Sequence, residues 1–135
     1  MNQSPFTILV IDDDEDDQIM FSEAIERIGP PLVCDNAFSG QKALGELISG
    51  GPIPDVIFLD AYIRDMDALD CLKFLKQHDR FSAIPVIVID GTQNEKLYHQ
   101  MMQAGALHYY EMPSLFSELI GMINSILREV MHVNT

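Results

Sequence analysis

Thr7-Ile8-Leu9-Val10-Ile11-Asp12-Asp13-Asp14 is the stretch whose reading decides the fold: a β-branched apolar run that stops abruptly on carboxylates. Two later runs end the same way, Val56-Ile57-Phe58-Leu59 at Asp60 and Pro85-Val86-Ile87-Val88-Ile89 at Asp90. Continuous apolar runs of this length, separated by helical patterns, predict buried parallel strands. In an open parallel sheet, ligands bind outside the carboxyl ends of the strands. Three strands are therefore expected to deliver acidic side chains to one edge, where a hard cation or phosphoryl chemistry fits.

Outward from these runs, strand and helix alternate five times. The first strand is read at about residues 6–11 and the first helix near 15–28, stopped by Gly29 and Pro30-Pro31. Leu32 to Ala37 reads as a second strand. Ser39 is placed to cap a helix running to about Ile48, and Gly50-Gly51-Pro52 closes it. Strand three covers Val56 to Leu59, and Leu69, Leu72 and Leu75 repeat at helical spacing within 68–77. Strand four is Val86 to Ile89; a fourth helix fits 94–104, ended by Gly105. Leu107 to Glu111 is the fifth strand, and Ser114 opens a last helix with Leu119, Ile123, Ile126, Leu127 and Val130 on one face. Right-handed crossovers turn this alternation into a doubly wound α/β fold, a five-stranded parallel sheet of order 2-1-3-4-5 in a three-layer α/β/α sandwich. The reading is one domain over 1–135, with its core at about 6–131 and no output domain.

The chain of 135 residues carries 21 acidic side chains against 8 Lys and Arg, a formal charge of −13. That balance argues against binding DNA or RNA, which needs a basic surface, and against docking on an anionic membrane. Met1-Asn2-Gln3-Ser4-Pro5 lacks the basic-then-apolar pattern of a signal peptide, and no apolar stretch is long enough to span a bilayer. Cys34 and Cys71 have no motif spacing and read as buried reduced thiols of a cytoplasmic protein. His78, His99, His108 and His132 are scattered, which gives a histidine metal site little support. Asp12, Asp14, Asp16 and Glu23 have the spacing of an EF-hand loop, but its turn position holds Asp17 instead of Gly and the preceding run is strand-like, so that reading is discarded.

Ile8 to Asp14, Asp55 to Asp60, Ile84 to Ile89, and Ala104-Gly105-Ala106 followed by Tyr109 and Pro113 together resemble a response-regulator receiver domain, with a flavodoxin-like fold and family-like spacing over nearly the whole chain. The resemblance implies two-component signalling. A histidine kinase or phosphotransfer protein would supply a phosphoryl group to Asp60. Asp12 and Asp13 would hold Mg²⁺ directly or through water, and the backbone carbonyl of Tyr62 would complete the site. Mg²⁺ takes oxygen ligands and keeps waters, so a few carboxylates plus a phosphoryl oxygen suffice, and the ion offsets repulsion between the incoming group and the acidic cluster. Tyr109 matches the family's switch aromatic, and a downstream partner would dock on the face of helix 4, strand 5 and helix 5. Tyr98, Met101, Met102, Tyr110 and Met112 lie on or near that face and read equally as core or as contact surface. A monomer or a weak homodimer is implied.

The departures are as informative. Receivers carry Thr or Ser where this chain has Asp90, and a carboxylate cannot donate to a phosphoryl oxygen. They carry Lys before the proline that follows strand five; here Met112 precedes Pro113. Arg64 and Ala68 stand where the family has Pro and Gly. Arg64 is a candidate substitute for the lost cation and Thr92 for the lost hydroxyl, while Lys96 reads as a solvated helix residue. Crowded carboxylates are expected to raise at least one pKa without metal, and phosphorylation is expected to couple poorly to the usual switch.

Three functions compete. The leading one is a stand-alone receiver that relays or reports a phosphoryl group by protein contact. It would not be a conventional enzyme, at most assisting its own phosphorylation and dephosphorylation with Mg²⁺. The second is a receiver-like docking module that no longer uses phosphorylation, favoured by Asp90 and Met112. The third is a Mg²⁺-dependent phosphatase of the haloacid-dehalogenase type, suggested by Asp12-x-Asp14. The third is opposed by the short chain and by the absence of a suitable hydroxyl, cap domain or lysine. Asp12, Asp13 and Asp60 also fit plain solvated strand ends, but their joint placement favours a site.

Overall fold

β1 (Phe6–Ile11) enters the centre of the sheet, and the chain then alternates through α1 (Glu15–Ile28), β2 (Leu32–Ala37), α2 (Gly40–Ile48), β3 (Val56–Asp60), α3 (Ala68–Gln77), β4 (Val86–Asp90), α4 (Glu95–Gln103), β5 (His108–Glu111) and α5 (Phe116–Val133). A computed structural model describes residues 4–133 of the chain, with side chains described to Met131. Met1 to Gln3 and the side chain of His132 lie outside what is described. The five strands are parallel in the order β2-β1-β3-β4-β5, as the alternation and crossover rule predict.

Side chains alternate across the three inner strands and bury on both faces. Leu9, Ile11, Ile57, Leu59, Val86 and Val88 pack against Ala43, Leu44 and Leu47 of α2, Cys71, Leu72 and Leu75 of α3, and Met101 of α4. Ile8, Val10, Val56, Phe58, Ile87 and Ile89 pack against Phe21, Ala24 and Ile25 of α1 and Leu119, Ile123, Ile126 and Leu127 of α5. This double burial is why the inner strands read as unbroken apolar runs. β2, an edge strand, alternates instead.

The helices start where short polar side chains meet free backbone N–H groups. Asp14 caps α1 by accepting from Asp16 N and Asp17 N, Ser39 caps α2, Asp67 caps α3 and Asn94 caps α4. Several boundaries differ by one or two residues from the sequence reading: β3 and β4 take in Asp60 and Asp90, α4 ends at Gln103, and β5 begins at His108. Asn94 is the cap of α4 and not its first residue, and α5 begins at Phe116, because Ser114 and Leu115 belong to the turn that follows Pro113.

Register explains the acidic edge. Ile11 pairs with Leu59 and Asp60 pairs with Ile89. The residue after β1 therefore comes level with the last residue of β3, and Asp90 lies one residue further along β4.

Candidate functional site

Asp12, Asp13 and Asp60 each offer a carboxylate oxygen, and these atoms lie within 4.8 Å of one another. Asp12 is the buried member, 4% exposed, and its Oδ1 accepts the Asp14 N–H at 2.9 Å. Asp60 Oδ1 accepts the Tyr62 N–H at 3.3 Å. Burial pushes the Asp12 carboxyl up to about 8 from 3.8, and the charge of Asp60 adds to the rise against the Asp14 hydrogen bond. Burial likewise pushes Asp60 up to about 6; the Tyr62 N–H opposes the rise, and the charges of Asp13, Asp17 and Asp90 add to it. Asp17, in the first turn of α1, is raised for the same reason, burial first. Carboxylates crowded to this degree fit a divalent cation with oxygen ligands, which would neutralise them.

The acidic turn after β1 is held from beneath. Gln18 is buried, and its Nε2 stands 3.0 Å from the carbonyl oxygens of Val10, Asp12 and Ala37. Asn36 donates in turn to Gln18 Oε1. Gln18 was not singled out in the sequence. The signal was present, since it shares the buried face of α1 with Phe21, Ala24 and Ile25, and a polar side chain on such a face needs partners.

Asp90 is 0% exposed, yet no polar atom of it lacks a partner. Its Oδ1 accepts from Thr92 N at 2.7 Å and from Thr92 Oγ1 at 3.0 Å, and its Oδ2 accepts from the Tyr109 hydroxyl. Because the single Thr92 hydroxyl proton goes to Asp90, the Tyr62 hydroxyl, 3.4 Å away, donates to Thr92 Oγ1. Asn94 Nδ2 donates to the Tyr62 hydroxyl at 3.2 Å. A chain of hydrogen bonds thus runs from Asn94 through Tyr62 and Thr92 to Asp90, where Tyr109 closes it. Burial and the bond to Asp90 raise the pKa of Tyr109. Its ring meets that of Tyr98 edge-on at 5.5 Å.

The structure thus gathers Asp12, Asp13 and Asp60, with the Tyr62 N–H on Asp60, and joins Thr92, Asp90 and Tyr109 beside them. Met112 is turned away in function. Its backbone N donates to the Asp90 carbonyl at 2.9 Å, and its half-buried side chain packs with the core between the sheet and α1 and α5. Arg64 stands at the pocket rim, its backbone N 2.8 Å and its Nε 3.4 Å from Asp13 Oδ2. Of the five residues read as either core or contact surface, Met101 is wholly core, Met102, Tyr110 and Met112 are half-buried, and Tyr98 is exposed. Among the described residues, no other group of acidic, His or Cys side chains gathers as a metal site, and no helix is long and apolar enough to cross a membrane.

A parallel doubly wound sheet with three carboxylates gathered at the carboxyl ends of β1 and β3 defines an α/β module whose acidic group lies where ligands bind in such sheets. More narrowly, the chain belongs to the response regulator receiver domain family, whose model matches residues 8–124. It is 25% identical over 123 residues to the polar-differentiation response regulator DivK of Brucella anthropi, covering 91% of this chain and 97% of that one. It is 25% identical to the chemotaxis protein CheY of Treponema pallidum, covering 94% and 86%. The phosphate regulon transcriptional regulatory protein PhoB of Pseudomonas aeruginosa is 27% identical over 122 residues, and the chain spans 52% of its length. Among solved structures, the phosphorylated cyanobacterial phytochrome response regulator RcpA superposes with a TM-score of 0.88 at 20% identity, covering 98% of both chains. The Mn²⁺-bound form of response regulator Rcp1 superposes with a TM-score of 0.82 at 22% identity, covering 91% of this chain and 92% of that one. Receiver domains are signalling modules that exchange phosphoryl groups with histidine kinases or phosphotransfer proteins, bind Mg²⁺ and contact downstream partners.

Proposed function

We propose that this chain is a phosphoryl-accepting receiver, with Asp60 as acceptor and Asp12, Asp13, Asp60 and the Tyr62 carbonyl as the Mg²⁺ set. The observation that carries the reading is the gathering of three carboxylate oxygens within 4.8 Å, with Asp12 and Asp60 held well above their ordinary pKa. A bound Mg²⁺ supplies the positive charge that lets a phosphoryl group approach this cluster. An Asp60 oxygen attacks phosphorus in line. The bond from phosphorus to the donor's imidazole nitrogen breaks, the imidazole keeps the electron pair and takes a proton, and an acyl phosphate forms. Asp12 and Asp13 would hold the cation, which would offset their charge, and the Tyr62 N–H orients the Asp60 carboxylate. The known Mn²⁺-bound form of Rcp1 and the phosphorylated form of RcpA support both parts of the reading. The donor is a histidine kinase or phosphotransfer protein, and the working compartment is the cytoplasm. Over 1–135 we read one receiver, acting by protein contact and without substrate turnover. Incubation with acetyl phosphate and Mg²⁺ should add one hydroxylamine-labile phosphoryl group by intact mass. Asp60→Asn should add none. Equal labelling of Asp60→Asn would refute the assignment.

A second reading, a docking module indifferent to phosphorylation, is favoured by one observation: the hydroxyl of Tyr109 already donates to the buried Asp90. In the family, the aromatic turns inward behind the hydroxyl that follows the phosphoryl group; here a carboxylate holds it without one. Under this reading, NMR resonances of Tyr109 and α4 stay in place when beryllofluoride, which stands in for the phosphoryl group on Asp60, is added with Mg²⁺. Their displacement would exclude it.

A further inference from the structure

We propose that Arg64 binds the phosphoryl group carried by Asp60, acting as the positioning cation of this pocket. The inference rests on the phosphoacceptor reading of Asp60. Its ground is the distribution of positive charge. Among the described residues, Arg64 with Asp13 is the one ion pair that involves a Lys or Arg; the other two are His99 with Glu95 and His108 with Glu129. In a chain with 8 basic side chains against 21 acidic ones, that pair sits on the rim of the acidic pocket.

The loop around Arg64 fixes its backbone and leaves its head group available. Its N–H is tied to Asp13 Oδ2 at 2.8 Å, Ile63 before it is buried, and Asp65 after it accepts from the first N–H groups of α2, Gly40 at 2.9 Å and Gln41 at 2.8 Å. The side chain itself is 86% exposed. It is nonetheless anchored at the rim, because Nε lies 3.4 Å from the same Asp13 oxygen that its own backbone N–H reaches. Neither terminal Nη makes a hydrogen bond among the described residues, which leaves the planar fork free for a second anion. That fork matches phosphoryl oxygens in geometry as well as in charge.

Charge balance supplies the need. Phosphorylation replaces one carboxylate charge at Asp60 by about two on the acyl phosphate. With a divalent cation seated, Asp12, Asp13 and the phosphoryl group still carry an excess of about two negative charges, and Asp90 stands alongside. Met112 is uncharged and packed with the core. Lys76 is spent elsewhere, its Nζ on the carbonyls of Ser82 at 3.3 Å and Ile84 at 2.5 Å. An exposed ion pair such as Arg64 with Asp13 adds little to stability, so loop fastening alone is a weak reason for its place.

The test compares the unsubstituted protein with Arg64→Ala, Arg64→Lys and Arg64→Ala/Met112→Lys, following two constants by tyrosine fluorescence and backbone NMR. One is the Kd for Mg²⁺ alone; the other is the Kd for beryllofluoride at saturating Mg²⁺. We expect Arg64→Ala to weaken beryllofluoride by about 10-fold or more, as loss of a charge-assisted hydrogen bond does. Arg64→Lys should keep part of the affinity, and the double variant should regain part by placing a cation at the end of β5. Mg²⁺ affinity should hold or tighten in Arg64→Ala, since a positive charge leaves the rim. Beryllofluoride binding within about twofold of the unsubstituted protein overturns the proposal. So does a parallel loss of Mg²⁺ and beryllofluoride affinity, which is the mark of a merely structural arginine. If the unsubstituted protein binds Mg²⁺ but neither beryllofluoride nor a phosphoryl group from acetyl phosphate, the phosphoacceptor reading fails and this proposal with it.

Discussion

Tyr109→Phe removes one oxygen atom and keeps the ring, so it isolates the bond to Asp90. Asp90 is wholly buried, and its Oδ2 has the Tyr109 hydroxyl as its donor. Without that donor one carboxylate oxygen remains buried and unsatisfied. A hydrogen bond to a charged group contributes about 1.5–3 kcal/mol, and stranding its partner adds desolvation. The ring's packing against Tyr98 and the α4 side of the core persists. We therefore expect a loss of about 2 kcal/mol in urea unfolding, with an unchanged m-value. For a chain of this length that lowers Tm by about 6–10 °C. Asp90→Val removes the acceptor, so Tyr109→Phe in that background should cost little, giving a coupling of about 1–3 kcal/mol in the double-mutant cycle. A loss under about 0.5 kcal/mol, or the same loss in both backgrounds, would refute the claim that Asp90 holds Tyr109.

Three further outcomes follow from the pocket and its supports. Asp12 and Asp60 have folded-state pKa values of about 8 and about 6, above 3.8, so their contribution to metal-free stability is full below about pH 4 and is lost as pH rises through 6 and then 8. Asp12→Asn cannot ionise; in urea unfolding without Mg²⁺ it should gain on the unsubstituted protein by at least about 1.4 kcal/mol between about pH 5 and pH 9, and a constant difference would contradict the burial argument. Gln18→Leu strips the donor from the carbonyls of Val10, Asp12 and Ala37 and should cost about 1–3 kcal/mol by the same measurement; a neutral result would mean water takes its place. Asp90→Thr exchanges an acceptor for a donor beside Asp60 and should tighten beryllofluoride binding and make the Tyr109 ring resonances respond to it; unchanged spectra would show that Asp90 does not govern the switch.

The strands were legible because β1, β3 and β4 bury both faces, leaving unbroken apolar runs at residues 8–11, 56–59 and 86–89. Their register was legible in outline, since each run ended on its carboxylate. What the sequence did not reveal lies at positions where a polar residue serves a distant partner. Gln18 looks like any helix residue until the carbonyls of β1 and β2 converge on it. Asp65 looks like loop until it meets the N-terminus of α2, 25 residues away. The partnership of Asp90 with Tyr109 spans 19 residues and two strands. In the sequence, Asp90 read as a carboxylate unable to donate to a phosphoryl oxygen and as a mark of a docking module, with no partner of its own. The geometry makes it the acceptor of three donors, a role set by tertiary approach and carried by no local pattern.

The Gln18 clamp has a mechanical corollary. One wall of the pocket, the turn that carries Asp12 and Asp13, is nailed to two strands and a helix by a buried amide. The opposite wall is a line of hydroxyls and rings, Tyr62, Thr92 and Tyr109, whose bonds rearrange by rotation about single torsions. A disturbance at Asp60 meets a stiff boundary on one side and a compliant one on the other. If Asp60 takes a phosphoryl group as proposed, the displacement is expected to run toward α4 and β5, away from the side that cannot bend.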